Sequence, residues 1–74
     1  MIVVVNSPLK TDKVAEVLDG YEKDGVTYKL IKKEGMKLTF QVEGVDRMSA
    51  IDLTKKIIRS YDFGKVLYFQ VVVE

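Results

Sequence analysis

The sequence predicts one α+β domain over residues 1–74, a ferredoxin-like, split βαβ sandwich. In this arrangement an antiparallel sheet with strands in the order 4-1-3-2 carries two helices on one face. Three observations support it. The length leaves room for one small domain only. Strand-like and helix-like apolar patterns follow one another in the order β-α-β-β-α-β, and right-handed crossovers place the strands in this order.

The first predicted strand is Met1–Val5, a continuous apolar run that suits a strand with neighbours on both sides. Asn6–Pro8 ends it, because these residue types favour turns and proline cannot extend a ladder. The following helix is predicted to begin at Thr11, a suitable N-cap, and to end at Gly20, a suitable C-cap. Its apolar stripe recurs at the spacing of helical turns, at Val14, Val17, Leu18 and Tyr21.

A hairpin follows, and the parity of its apolar residues predicts its register. Alternate residues of a strand lie on one face of the sheet. A two-residue turn at Glu34–Gly35 places the two apolar rows on opposite faces, whereas a three-residue loop at Lys33–Gly35 pairs Tyr28 with Phe40. The three-residue loop is therefore predicted, with Gly35 as the left-handed residue of a G1 bulge. The other predicted pairs are Leu30 with Leu38 and Val26 with Val42.

The second helix is predicted to follow Asp46, its N-cap, and to end at Asp62–Gly64. One broad arc of this helix forms the core-facing side: Ala50, Ile51, Leu53, Thr54, Ile57, Ile58 and Tyr61. A strand over Lys65–Glu74 follows, with two alternating rows. The inner row is Leu67, Phe69, Val71 and Val73, and the outer row is Val66, Tyr68, Gln70 and Val72.

Composition narrows the chemistry that is open to the chain. There is neither cysteine nor histidine, which excludes disulfides, thiolate metal sites and the commonest general base. The net charge of +1, with 47% hydrophobic and 31% charged residues, is typical of a folded soluble domain. No apolar run approaches the ~18 residues of a membrane span, and no secretory signal pattern is present. A cytoplasmic protein without membrane contact is therefore expected.

The residues do not favour an enzyme. Ser7 has no histidine to activate it, and the five glycines are isolated, so neither a dinucleotide-binding nor a P-loop motif is formed. Asp19, Glu22 and Asp24 lie close in sequence but lack the spacing of an EF-hand calcium loop. No catalytic residue, metal ligand or cofactor is therefore predicted.

The sheet face that the helices leave uncovered is the expected contact surface. Its predicted residues on the hairpin are mostly polar or basic: Thr27, Lys29, Ile31, Lys33, Lys37, Thr39 and Gln41. The last strand adds a more apolar half with Val66, Tyr68 and Val72. A homodimer that packs on this half, or pairs through the last strand as a sheet edge, supplements a small core. The simpler alternative is that these valines are ordinary surface of a strand-forming sequence.

The sequence thus predicts a small binding or assembly module that self-associates or binds a protein partner. The candidate binding residues are Lys29, Lys33, Lys37, Tyr68 and Gln70. The alternative is a nucleic-acid or phosphate-ligand binder that uses the basic hairpin, since residues 26–42 contain four lysines and one acid. Against this alternative, only Tyr68 is placed to stack on a base. A second basic stripe, Lys55, Lys56 and Arg59, lies on the opposite side of the domain.

Overall fold

The structure, a computed structural model, describes residues 1–74. Its elements are β1 (Ile2–Asn6), α1 (Thr11–Leu18), β2 (Glu22–Lys23), β3 (Val26–Glu34), β4 (Lys37–Glu43), α2 (Arg47–Arg59), α3 (Asp62–Lys65) and β5 (Gln70–Val73). The strands form one sheet in the order β2-β3-β4-β1-β5, and every neighbouring pair is antiparallel. The α+β class is therefore confirmed. The sheet has five strands rather than four, and there are three helices rather than two, so the ferredoxin-like order is not confirmed as predicted.

The core lies between α1, α2 and one face of the sheet. The predicted alternation is found in the central strands: Val3, Leu38 and Phe40 are fully buried, and they pack in one cluster with Leu18 of α1 and Ile58 of α2. Burying side chains of this size stabilises the fold by about 1.5–3 kcal/mol each relative to exposure. The apolar faces of the sheet and of the two helices thus meet in a single two-layer core.

The hairpin reaches the predicted parity by a different device. Its turn has two residues, Gly35 and Met36, between the paired Glu34 and Lys37, and Gly35 has a φ of +57°. Glycine at the first central position is typical of a type II′ turn. With this turn alone, the apolar residues of β3 and those of β4 lie on opposite faces of the sheet. A bulge at Ile31 adds one residue to β3 and returns the two apolar rows to the same face.

The predicted register of the hairpin is therefore wrong by two residues although the inward faces are right. Tyr28 pairs with Val42 and Leu30 pairs with Phe40. The bulge also corrects the prediction for Lys33, which was expected on the uncovered face. Because one extra residue precedes it, Lys33 stands opposite the buried Leu38 and forms an ion pair with Asp12 of α1.

Two further predictions about element ends are corrected. The last strand begins at Gln70, not at Lys65, because α3 occupies Asp62–Lys65. Within α3, Gly64 lies in direct contact with the carbonyl of Ile58, where a Cβ atom has no room. The N-cap position of α1 belongs to Lys10, without a side-chain hydrogen bond, and the Thr11 hydroxyl donates to the Ser7 carbonyl at 2.6 Å. Asp46 caps α2 as predicted, accepting from the Ser49 amide at 2.8 Å.

One buried polar link joins the sheet to α2. The Tyr28 hydroxyl lies 2.6 Å from Thr54 Oγ1, and Thr54 Oγ1 donates its proton to the Ala50 carbonyl at 2.7 Å. Since a threonine hydroxyl has one proton, Tyr28 donates to Thr54. Burial raises the pKa of the Tyr28 hydroxyl above its usual value. The link fixes α2 over β3, the strand next to the β2 edge of the sheet.

We expect Thr54→Val to destabilise the protein more than Tyr28→Phe does. Tyr28→Phe removes one hydrogen bond and costs about 1 kcal/mol, whereas Thr54→Val leaves the Tyr28 hydroxyl buried without a partner and costs ~1–3 kcal/mol. Urea unfolding of both variants measures the two costs. The double variant is the control, because it removes the unpaired hydroxyl and should be more stable than Thr54→Val alone. Equal costs for the two single variants would contradict this assignment of the donor.

Alkaline pH should destabilise the protein through the same residue. The pKa of Tyr28 is higher in the folded state than in the unfolded chain. Above the ordinary tyrosine value near 10, the unfolded chain therefore loses this proton first, and the free energy of unfolding falls as the pH rises. Thermal unfolding of the wild type and of Tyr28→Phe from pH 8 to 11 measures the effect. The wild type should lose more stability over this range, and parallel curves would count against the burial effect.

Candidate functional site

Beside a row of Glu22, Thr27 and Glu43 at one end, the sheet face opposite the helices, the open face, is built from three cross-strand rows. The first row is Lys29, Gln41 and Ile2; the second is Lys32, Thr39, Val4 and Val72; the third is Glu34, Lys37, Asn6 and Gln70. In these rows the positions on β3 and β4 are all polar or charged, whereas β1 and β5 contribute the three apolar residues Ile2, Val4 and Val72. Val4 is only 4% exposed because its neighbours in the row cover it, whereas Val72 at the edge is 49% exposed.

The predicted binding residues do not form one cluster. Lys37 and Gln70 lie in the same row on either side of Asn6, and the Gln70 amide donates to the Tyr68 hydroxyl at 3.2 Å. These three residues are brought to one end of the open face. Lys29 lies two rows away, in the row of Gln41. Lys33 is on the helix side of the sheet and is not part of this surface.

Ion pairs neutralise half of the basic hairpin. Lys32 Nζ lies 3.4 Å from Glu34 Oε1 on the same face, and Lys33 pairs with Asp12. Lys29 and Lys37 have no acidic partner within 4.0 Å. The four lysines that the sequence places together therefore leave two unneutralised charges on the open face.

The outer edge of the sheet at β5 presents free backbone. The Glu74 amide donates to the Ile2 carbonyl at 2.9 Å, so the alternation of an antiparallel ladder turns Gln70 and Val72 toward β1. The amides and carbonyls of Val71 and Val73 consequently face away from the sheet. The Val73 carbonyl accepts a bond of 3.3 Å from Arg47, and Val71 makes no hydrogen bond to a loop or side chain.

An apolar groove lies beside the start of β5. Its volume is about 280 Å³, and its walls include Leu9, Phe63 and Tyr68. Val66 on its rim is 91% exposed. The sequence pattern predicts Val66 and Tyr68 in a strand and gives no signal that Leu9 belongs to this surface. The groove exists because α3 turns the chain before β5, and the short Asp62–Lys65 segment gives no helical stripe that could have revealed it.

A second hollow surface lies on the solvent side of α2. Two depressions of about 400 and 360 Å³ share Lys56 and Ser60. The first contains Lys55 and Arg59, and the second reaches across to Tyr21 in the loop before β2. The sequence predicts the basic stripe of α2. It also predicts Tyr61 on the core-facing arc of this helix and Tyr21 on the stripe of the first helix, and both predictions are wrong: the two tyrosines lie outside the helices and line this surface.

Comparison of the chain with protein-family models, with curated proteins and with solved structures finds no match.

None of the helices has the length and apolar character needed to cross a membrane. No three acidic, histidine or cysteine side chains are grouped as metal ligands. Of the three acidic residues that lie close in sequence, Asp19 is engaged with the backbone, because its carboxylate accepts a hydrogen bond from the Leu30 amide at 3.0 Å. The open face, the β5 edge and the surface of α2 are the features of the chain that bear on function.

Proposed function

We propose that the protein is a small binding and assembly module that self-associates through the β5 edge, with the adjoining part of the open face in the contact. The observation that carries this proposal is the free backbone of Val71, in an edge strand without a charged residue or proline. Edge strands are usually protected by charges, prolines or bulges. The Gln70–Val73 edge has none of these.

The two edges of the sheet differ in a way that supports this choice. The opposite edge consists of β2, whose two residues Glu22 and Lys23 are charged and exposed, and of the part of β3 beyond it, which carries a bulge and the charged residues Lys32–Glu34. A short charged strand is a poor template for pairing. At β5, two copies related by a two-fold axis pair antiparallel, so each Val71 amide finds a carbonyl on the partner. The arrangement joins two five-stranded sheets into one.

Side chains on the open face add to such a contact. Val72 is 49% exposed and lies at the edge of its row, so antiparallel pairing brings the Val72 side chains of two copies near each other. A 74-residue domain buries a smaller share of its surface than a larger one. Burying these valines in a dimer therefore adds stability that the small core does not supply.

We further propose that the fold is a ferredoxin-like variant with β2 and α3 as additions. In support, the four longer strands follow the order β3-β4-β1-β5 when the two-residue β2 is set aside. This order matches the 4-1-3-2 arrangement expected for the split βαβ fold.

The alternative, nucleic-acid or phosphate binding by the basic hairpin, has less support. Lys32 and Lys33 are engaged with Glu34 and Asp12, and paired lysines contribute less to phosphate binding than free ones. The remaining Lys29 and Lys37 lie two rows apart on the open face.

Sedimentation equilibrium of the purified chain tests self-association. We expect the wild type to be dimeric at high micromolar concentration. Val71→Pro removes an amide that faces outward, so the monomer should keep its ladder to β1 while the dimer is lost. A folded circular dichroism spectrum with the monomeric mass is the expected result for this variant.

Val72→Pro is the matched control. The Val72 amide faces β1, so the same substitution one residue later should lower the stability of the monomer itself. A strictly monomeric wild type at several hundred micromolar would contradict self-association. A wild-type dimer that survives Val71→Pro would leave the open face, not the edge, as the contact.

A further inference from the structure

The surface of α2 carries several positive charges that no ion pair neutralises. The two depressions meet at Lys56 and Ser60, which line both, and together they are called here the α2 groove. Its four cations are Lys23, Lys55, Lys56 and Arg59, and its one acid is Asp52. None of the four cations has an acidic partner within 4.0 Å. This contrasts with the hairpin, where two of the four lysines are paired.

Two tyrosines line the same groove, and each is held by an aromatic neighbour. Tyr61 stacks on Phe63 with ring centres 5.8 Å apart and an interplanar angle of 26°. Tyr21 packs edge-on against Tyr28 at 5.6 Å. Tyr61 is 42% exposed. Rings that are fixed from behind and partly exposed provide flat surfaces for another aromatic group.

Arg59 is also held in place. Its guanidinium carbon lies 5.3 Å from the centre of the Phe69 ring, a cation–π contact. Phe69 is itself buried in the core. The charge of Arg59 is therefore fixed beside the groove, where Lys55 and Lys56 come from the same helix.

We propose that the α2 groove binds a nucleotide, with its base against Tyr61 and Tyr21 and its phosphates against Lys55, Lys56 and Arg59. Aromatic side chains bind bases of any sequence by stacking, and lysine and arginine neutralise the phosphates. A simple anion makes no use of the tyrosines, and an apolar ligand makes no use of four unpaired cations. The ligand is either a free nucleotide or one unit of a single strand.

This site is independent of the proposed self-association. It lies on the solvent side of α2, whereas the open face is on the other side of the sheet and the β5 edge lies at its margin. A nucleotide in the groove therefore leaves Val71 accessible to a second copy. The two proposals also have different readouts, since one concerns mass and the other concerns ligand binding.

Fluorescence anisotropy of a labelled eight-nucleotide uridine strand, with the full chain at 50 mM salt, tests the site. We expect saturable binding that weakens with rising salt. Lys55→Ala/Lys56→Ala should weaken binding at least tenfold and reduce the log–log salt slope by about 1.4, since each contact to a single strand contributes about 0.7. Lys29→Ala/Lys37→Ala is the matched control, because it removes the same charge from the open face and should change binding less than threefold.

The aromatic part of the proposal has its own test. Tyr61→Ala should weaken binding by about fivefold or more through the loss of stacking, and Tyr61→Phe should restore it. Thermal unfolding of each variant confirms that it is folded. Competition by adenosine 5′-triphosphate at comparable affinity identifies a free nucleotide as the ligand, and competition only by unlabelled strand identifies a nucleic acid. No binding to the wild type by either probe, or equal losses in the groove and open-face variants, would overturn the proposal.

Discussion

The hairpin depends on one unpaired residue. A tight Gly35–Met36 turn alone would place the apolar rows of β3 and β4 on opposite faces of the sheet. The bulge at Ile31 returns them to the same face. Without it, either the apolar row of β3 or that of β4 faces water, and the core between sheet and helices cannot close. The same residue sends Lys33 to the helix side, where Asp12 neutralises it, and leaves Lys32 beside Glu34. A device that serves core packing thus also sets the charge of the open face.

A second constraint links the sheet to α2. Phe40 and Leu38 supply most of the apolar contact of their strand, but Tyr28 adds a directional bond to Thr54 within the core. Because a buried hydroxyl without a partner is costly, this bond favours one position of α2 over neighbouring ones. The position of α2 in turn fixes Lys55, Lys56 and Arg59 relative to the loop that contains Tyr21, from which the α2 groove is formed.

The fold separates two surfaces of different character. The β5 edge is neutral and presents backbone groups, and this chemistry fits a second strand. The solvent side of α2 is cationic with aromatic walls, and this chemistry fits an anionic aromatic ligand. The near-neutral net charge of +1 conceals this separation, because five of the eleven acids lie in residues 1–25 and others, such as Glu34 and Asp62, are held in local pairs. The two surfaces lie on different sides of the fold.

The sequence by itself determined the two longer helices, the four longer strands, the inward rows of these strands and the Asp46 cap, because these depend on local periodicity and on side chains that bond their own backbone. It identified Lys37, Tyr68 and Gln70 as surface residues, and the structure brings these three together. Only the tertiary structure decided the bulge at Ile31, the helix α3 and the α2 groove. Each of these depends on contacts between residues far apart in the chain, where a shift of one residue changes which face a side chain occupies.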